Sequence, residues 1–315
     1  MTTTESIFIT GATGCIGHYI VNKLLKESAF HCHLYVRSPE KLKVNYKNHP
    51  RVTLHIGDLE QVEEVKDVVS KMNYIIHIAT DWCNSDYATL LNKEKTHLLF
   101  NYTDPKVLKR IVYFSTASIL NPDHQPIPEA GDYGSGYVRS KYLAYTTLKE
   151  VSCYDKIVTV FPTLVFGGDS RHPYSHISEG LMPNLSFLKW LKYIYVDGSF
   201  HYLHANDIAK VAIYLLTAES VKSDYVLGTA QITAKQAIAT LCRVFNRSQF
   251  FCIKIPRLVI FALAKLFRIT IGPWEKYCIQ NSHMTYKTVN PATFGLKTEF
   301  PTLQSVLEDI KSQND

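Results

Sequence analysis

The stretch Ser6-Ile-Phe-Ile-Thr10-Gly11-Ala-Thr-Gly14-Cys-Ile-Gly17, continuing as His18-Tyr-Ile-Val-Asn-Lys-Leu-Leu25, decides the fold. A short apolar run leads straight into three glycines, and a helical pattern follows. Glycine at the first position permits a tight turn. At the second it lets a ligand approach bare backbone, and at the third it lets helix and strand pack closely. The start of the helix then presents unpaired N–H groups and the positive end of its dipole to an anion. This strand–turn–helix predicts a cradle for the pyrophosphate of a dinucleotide, with Gly11, Thr13, Gly14, Cys15, Ile16 and Gly17 as the contact residues.

Outward from that turn, short β-branched runs alternate with amphipathic segments. Strands are predicted at 6–10, 32–36, 52–56, 74–78, 110–115 and 156–161, and helical segments include 16–27, 59–70 and 88–102. Parallel strands need crossover connections, so the alternation predicts an α/β, Rossmann-type doubly wound parallel sheet. The rhythm loosens after Gly167, where 168–200 is rich in Gly, His, Pro, Tyr and Ser. Residues 1–167 read as the dinucleotide-binding domain. Residues 168–315 read mainly as a smaller α+β substrate lobe, with 194–216 returning to the Rossmann core.

The bulk composition excludes several classes. The 315 residues are 46% apolar, and 34 basic against 28 acidic residues give a net charge of +6. That excess is spread thinly with no basic run, so nucleic acid is not an expected partner. Seven cysteines (15, 32, 83, 153, 242, 252 and 278) form no CxxC pair, which argues against a disulfide framework or a zinc site. The opening residues lack a signal-peptide pattern, and a reducing, cytoplasmic setting is expected. Residues 255–271 are strongly apolar. Arg257, Lys265 and Arg268 interrupt them, and they fall short of a ~20-residue span, so no integral membrane span is expected. They read as a buried or surface-docked helix, with a membrane-surface helix as the alternative. His31 and His33 share one face of a strand and read as surface residues.

The glycines are spaced GxxGxxG rather than GxGxxG, and TGATGCIG at 10–17 resembles the TGATGxIG opening of the extended short-chain dehydrogenase/reductase family. Further elements resemble that family in order. Gly57-Asp58-Leu59 is similar to its GDL element, which implies that Asp58 meets the adenine and Leu59 adds a backbone amide. His77-Ile78-Ala79-Thr80 is similar to its HxAA element beside the cofactor ribose. Phe161-Pro162-Thr163-Leu164-Val165-Phe166-Gly167 is similar to RPxxVYG, which implies that Pro162 and Val165 border the nicotinamide. NKEKTHLL at 92–99 is similar to NVxGTxxLL, with Asn92 and Thr96 in structural roles, and Asp207 falls in a segment similar to FIHVDDVA. PTLVFG and HIAT resemble the dihydroflavonol-reductase-like branch.

The second strand should end at the adenosine ribose, where an acidic residue marks NAD and an arginine marks NADP. Here it ends in Arg37-Ser38, with no Asp or Glu, so NADP is expected, NAD remaining possible.

The resemblance also implies a catalytic tyrosine with a lysine one helical turn later, the lysine lowering the phenol pKa. Four Tyr-x-x-x-Lys matches occur, at 19/23, 102/106, 137/141 and 145/149. Only Tyr137 follows a loop after the fifth strand and carries the family's YxxSK, as Tyr137-Val-Arg-Ser-Lys141. Pro105 spoils the second match. The family's STxxVYG aligns with Ser115-Thr116, which implies Thr116 as the third catalytic residue, with Ser115 and Ser118 as fallbacks. Its VYG tail has become Ile119-Leu120-Asn121.

These features together predict an NAD(P)-dependent oxidoreductase acting on a carbonyl or alcohol carbon of a small molecule. The alternative is a nucleotide-sugar epimerase or dehydratase with tightly bound NAD, for which Arg171 and Asn184 could grip phosphate. The acidic pair wanted after the catalytic threonine is replaced by Ala117-Ser118. A non-catalytic dinucleotide sensor would typically have lost the tyrosine or lysine. Pairing of the Tyr137 helix with a second subunit would give a homodimer.

Overall fold

Seven parallel strands form the central sheet of the computed structural model, which describes residues 5–43, 46, 48–82 and 86–313. They are β1 (Ser6–Thr10), β2 (His31–Val36), β3 (Val52–Ile56), β4 (Tyr74–His77), β5 (Arg110–Phe114), β6 (Ile157–Pro162) and β7 (Asp224–Leu227). Their order is β7-β6-β5-β4-β1-β2-β3, which is a Rossmann-type doubly wound sheet. The order reverses between β1 and β4, and the crevice at such a switch point lies beyond the carboxyl ends of the strands.

Both faces of the sheet are covered, which is why the strands read as continuous apolar runs. Alternate side chains go to opposite layers. Ile7, Ile9, Leu34, Ile76 and Val112 join the core shared with α1 (Cys15–Glu27) and α4 (Ala205–Thr217). Phe8, Tyr35, Ile75, Ile111 and Tyr113 join the opposite layer with Leu91, Leu99 and Phe100. Between β5 and β6 lies α2 (Gly136–Thr146), and α3 (His176–Asn184) follows the short strand Leu164–Phe166. A smaller α+β lobe completes the chain. In it α5 (Ala234–Val244) packs with α7 (Leu303–Ser312) around Phe166, Tyr202, Val306, Leu307 and Ile310.

The structure revises two readings and narrows a third. Residues 59–70 are not one helix: a 3-10 segment, Leu59–Val65, kinks at Gln61 before the α-helical turn Lys66–Val69. His31 and His33 are half-buried rather than on open surface, and His33 stacks on His55 with ring centroids 5.2 Å apart. Burial there pushes His33 down to about 4. The apolar stretch 255–271 holds α6 (Arg257–Leu266), which is neither buried nor long enough to span a membrane; Ala264 is its one buried residue. The six cysteines among the described residues are unpaired, and Cys83 lies outside them.

One buried carboxylate ties the lobe to the core. Asp207 sits fully buried in the first turn of α4 and accepts hydrogen bonds from the backbone N–H of Glu299 and of Phe300, both at 3.0 Å. Lys210, one turn on, donates to Glu299 and to the Lys297 carbonyl, neutralising the same junction. A charged acceptor for two such donors cannot be removed without orphaning both. Asp207→Ala should therefore lower unfolding free energy by about 2–3 kcal/mol in denaturant titrations. Asp207→Asn, which keeps one acceptor oxygen, should lose less.

Candidate active site

At the glycine turn, backbone geometry separates the three glycines by task. Gly11 has φ +75°, and a Cβ there would fall 2.7 Å from the Ala79 amide nitrogen. At Gly17 a Cβ would fall 2.2 Å from the Gly11 carbonyl oxygen. Both are closed by protein. A Cβ at Gly14 would meet only that same carbonyl, at 3.4 Å, so its remaining surroundings are open. Gly14 is also the N-cap of α1. No side chain caps the helix there, and its first turn has no acidic residue. The unsatisfied amides of a 13-residue helix thus border the cleft, a donor set suited to a pyrophosphate.

A cavity of about 640 Å³ runs from this turn across the carboxyl ends of the strands. Gly11, Thr13, Gly14, Cys15, Ile16, Gly17, Arg37, Asp58, Leu59, Ile78, Ala79, Thr80, Pro162 and Val165 line it, as do Thr116, Tyr137 and Lys141. Ser38 does not; it begins the 3-10 turn Pro39–Lys41. Arg171 and Asn184 are also absent from the lining. The Asn184 amide instead donates to the Gly180 carbonyl within α3.

At the end of β2, Arg37 donates to the Asp58 carboxylate at 3.2 Å, a pairing absent from the sequence reading. Asp58 also caps the turn after β3 by accepting from the Glu60 amide. The arginine side chain is 67% exposed, and an ion pair so exposed holds its partner weakly.

On the opposite side the strand end and α2 bring three groups together. Ser135 caps α2 through the Val138 amide, which sets Tyr137 and Lys141 one turn apart on its inner face. Lys141 is 2% exposed; its ammonium donates to the Phe114 carbonyl at 2.8 Å and lies over the Tyr113 ring. Burial pushes it down to about 7. Burial pushes Tyr137 up to about 12, against which a hydrogen bond with Thr116 pulls it back. The neighbouring Ser115 hydroxyl is buried in the cleft lining with no partner among the described residues, so a polar ligand group would satisfy it.

Two positioning features went unread in the sequence. Helical residues 86–101 are not uniform: Leu90–Lys95 forms a π-helical turn, in which the Thr96 hydroxyl donates to the Leu91 carbonyl. The extra residue turns Asn92 inward, fully buried. Its amide donates to Ser140 Oγ and to the Asp81 carbonyl, both at 2.9 Å, and its oxygen accepts from Thr80 and from the Asp81 amide. Asn92 therefore couples α2 to the loop after β4. On that loop Trp82 stacks on Tyr137, ring centroids 3.9 Å apart at 15°, and meets His176 edge-on. A tryptophan just beyond the carboxyl end of a strand was the available signal for a cleft residue.

Comparison with known proteins agrees with this architecture. Residues 7–228 match the model of the NAD dependent epimerase/dehydratase family. Dihydroflavonol 4-reductase of Gerbera hybrida is 24% identical over 262 residues, covering 73% of this chain and 70% of that protein. A polyketide synthase-nonribosomal peptide synthetase of Aspergillus clavatus is 31% identical over 168 residues; the match takes in 46% of this chain and only 4% of that protein's length. Among solved structures, dTDP-glucose 4,6-dehydratase of Bacillus anthracis with NAD aligns at TM-score 0.67 and 15% identity, covering 98% and 96% of the two chains. Yeast methylglyoxal/isovaleraldehyde reductase Gre2 with NADPH aligns at 0.66 and 16%, covering 98% and 97%. With its sheet order, glycine turn and more than half its length in agreement, this chain belongs to the NAD dependent epimerase/dehydratase family.

Proposed function

We propose that the protein is an NADP-preferring oxidoreductase that reduces a ketone or aldehyde carbon of a small molecule, or oxidises the corresponding alcohol. The observation that carries this reading is the convergence of Tyr137, Thr116 and Lys141 in the same cleft as the open N-terminus of α1. A bound nicotinamide supplies or accepts the hydride.

The chain's own groups handle the proton. At a pKa of about 12 the Tyr137 phenol is protonated at neutral pH, so it stands ready to donate a proton to a carbonyl oxygen as the carbon receives hydride. The Thr116 hydroxyl, already in a hydrogen bond with that phenol, would hold the same oxygen. A charged Lys141 favours the phenolate left behind. Arg37 would meet a 2′-phosphate at the adenosine end, exchanging its weak pairing with Asp58 for a doubly charged acceptor. Against the epimerase or dehydratase reading stand Ala117 and Ser118 after Thr116, and the absence of Arg171 and Asn184 from the cleft lining.

Three outcomes follow. Tyr137→Phe should lower kcat for carbonyl reduction by about 10²- to 10⁴-fold with dinucleotide affinity retained, measured by NADPH oxidation; full turnover in that variant would remove Tyr137 from the chemistry. Arg37→Asp should cut the preference for NADPH over NADH by about ten- to a hundredfold, the worth of a lost hydrogen bond to a charged group. Finally, Lys141 with a pKa of about 7 carries its charge only below that value. The kcat/KM for reduction should therefore fall as pH rises through about 7, since this parameter follows ionisation of the free enzyme.

A further inference from the structure

Helix α6 is apolar on nearly every side and yet lies on the outside of the molecule. Ile260, Phe261 and Ala264 turn toward the lobe, while Leu258, Val259, Leu263 and Leu266 are exposed, Leu258 by 82%. A helix with no polar face belongs in an apolar environment on both sides. The apolar surface continues beyond it. The parallel strand pair Ile194–Val196 and Ile253–Ile255 sets Ile253 beside Ile194, both exposed, and Phe250 is 86% exposed just before it. Exposed apolar surface this continuous marks an interaction face.

Charge decides between its possible occupants. Residues 225–274 contain seven basic residues and no acidic one. Lys265 falls at the rim of the exposed arc of α6 by helical spacing, and Arg268 lies just beyond its end. Neither forms an ion pair with an acid among the described residues, and Lys254 pairs with Asp197. A second copy docked through this face about a two-fold axis would set like charges against one another. An anionic lipid surface would not: the apolar side chains enter the headgroup boundary, and long basic side chains reach the phosphates around them. Ten helical residues span ~15 Å, half a ~30 Å hydrocarbon core, so the helix lies along the surface instead of crossing it.

We infer that the face built from α6 and the Ile194–Val196/Ile253–Ile255 strand pair docks the protein onto an anionic lipid bilayer.

The test is flotation of the full chain with vesicles of phosphatidylcholine, alone or mixed with phosphatidylserine. The protein should float with the mixed vesicles and hardly at all with phosphatidylcholine alone. Lys265→Gln with Arg268→Gln should weaken the mixed-vesicle binding on the order of thirtyfold, at about 1 kcal/mol per basic residue. Leu258→Ser with Leu266→Ser should weaken it by about tenfold or more. Both pairs are exposed, so thermal melting should match that of the unaltered protein; the charge pair removes no packed atom and keeps the test valid if the leucine pair melts lower. The inference fails if the unaltered chain ignores mixed vesicles or binds both kinds equally. It also fails if light scattering finds a dimer that the leucine pair converts to monomer, because a second copy would then cover the face.

Discussion

A Cβ at position 17 would stand 2.2 Å from the Gly11 carbonyl oxygen, closer than any side chain tolerates, and the remainder of the molecule is arranged around that contact. It lets α1 lie hard against β1 with its first turn facing the cleft. Because α1 is seated so low, α4 packs across it, and Ile208, Val211, Ala212 and Leu215 enter the same core as Ile20, Val21 and Leu24. From the first turn of α4, Asp207 then anchors residues 299 and 300 and, through them, the approach to α7. A single steric requirement at the turn is thus passed through two helices to the far lobe. The first-turn amides of α1, unpaired as at any helix start, are thereby set at the edge of the cleft.

The cleft is held from its other side by polar contacts inside the protein. Asn92 bonds to Ser140 and to both backbone groups of Asp81. His77 adds a second tie across β1 and β4, placed between the Thr10 and Thr96 hydroxyls at 2.9 Å each. Burial pushes that histidine well below its ordinary range, so it is a neutral imidazole joining two hydroxyls. These contacts fix the Tyr137 helix relative to the glycine turn and leave Trp82, at the mouth, stacked on the phenol.

How much of this the sequence disclosed depends on whether a feature leaves a local pattern. The strands were legible because a sheet covered on both faces demands uninterrupted apolar runs, and six of the seven were placed within a residue or two. The glycine turn was legible because steric demand at Gly11 and Gly17 admits one residue type. Tyr137 was singled out from the other three Tyr-x-x-x-Lys matches because Ser140 and Lys141 follow it on a helix that opens after a loop, and the structure places Tyr137 and Lys141 in the cleft lining. The π-turn at Leu90–Lys95 changes only hydrogen-bond register and leaves the apolar periodicity nearly intact, so 88–102 read as ordinary helix. Arg37 and Asp58 were each assigned to a ligand, and nothing local says that residues 21 apart pair with one another. β7 escaped notice because Asp224–Leu227 is short and follows the chain's excursion through the lobe. Apolarity at 255–271 could not distinguish a covered helix from an uncovered one, since composition does not say what the surrounding chain leaves exposed.

Burial acts on Tyr137 and Lys141 in opposite directions, and the outcome has both a chemical and an energetic side. Each group loses water, so each favours its neutral form: the phenol rises to about 12 and the ammonium falls to about 7. The pair therefore keeps its proton on the tyrosine at neutral pH, the state that the proposed role as proton donor requires. The lysine's folded value lies below the 10.5 of the unfolded chain, so the unfolded state binds more protons between those values. Stability from this group is least below pH 7 and rises toward pH 10.5, which means that the charged lysine is held at a cost to the fold at and below neutrality. The Nζ bond to the Phe114 carbonyl and the Tyr113 ring beneath it offset part of that cost.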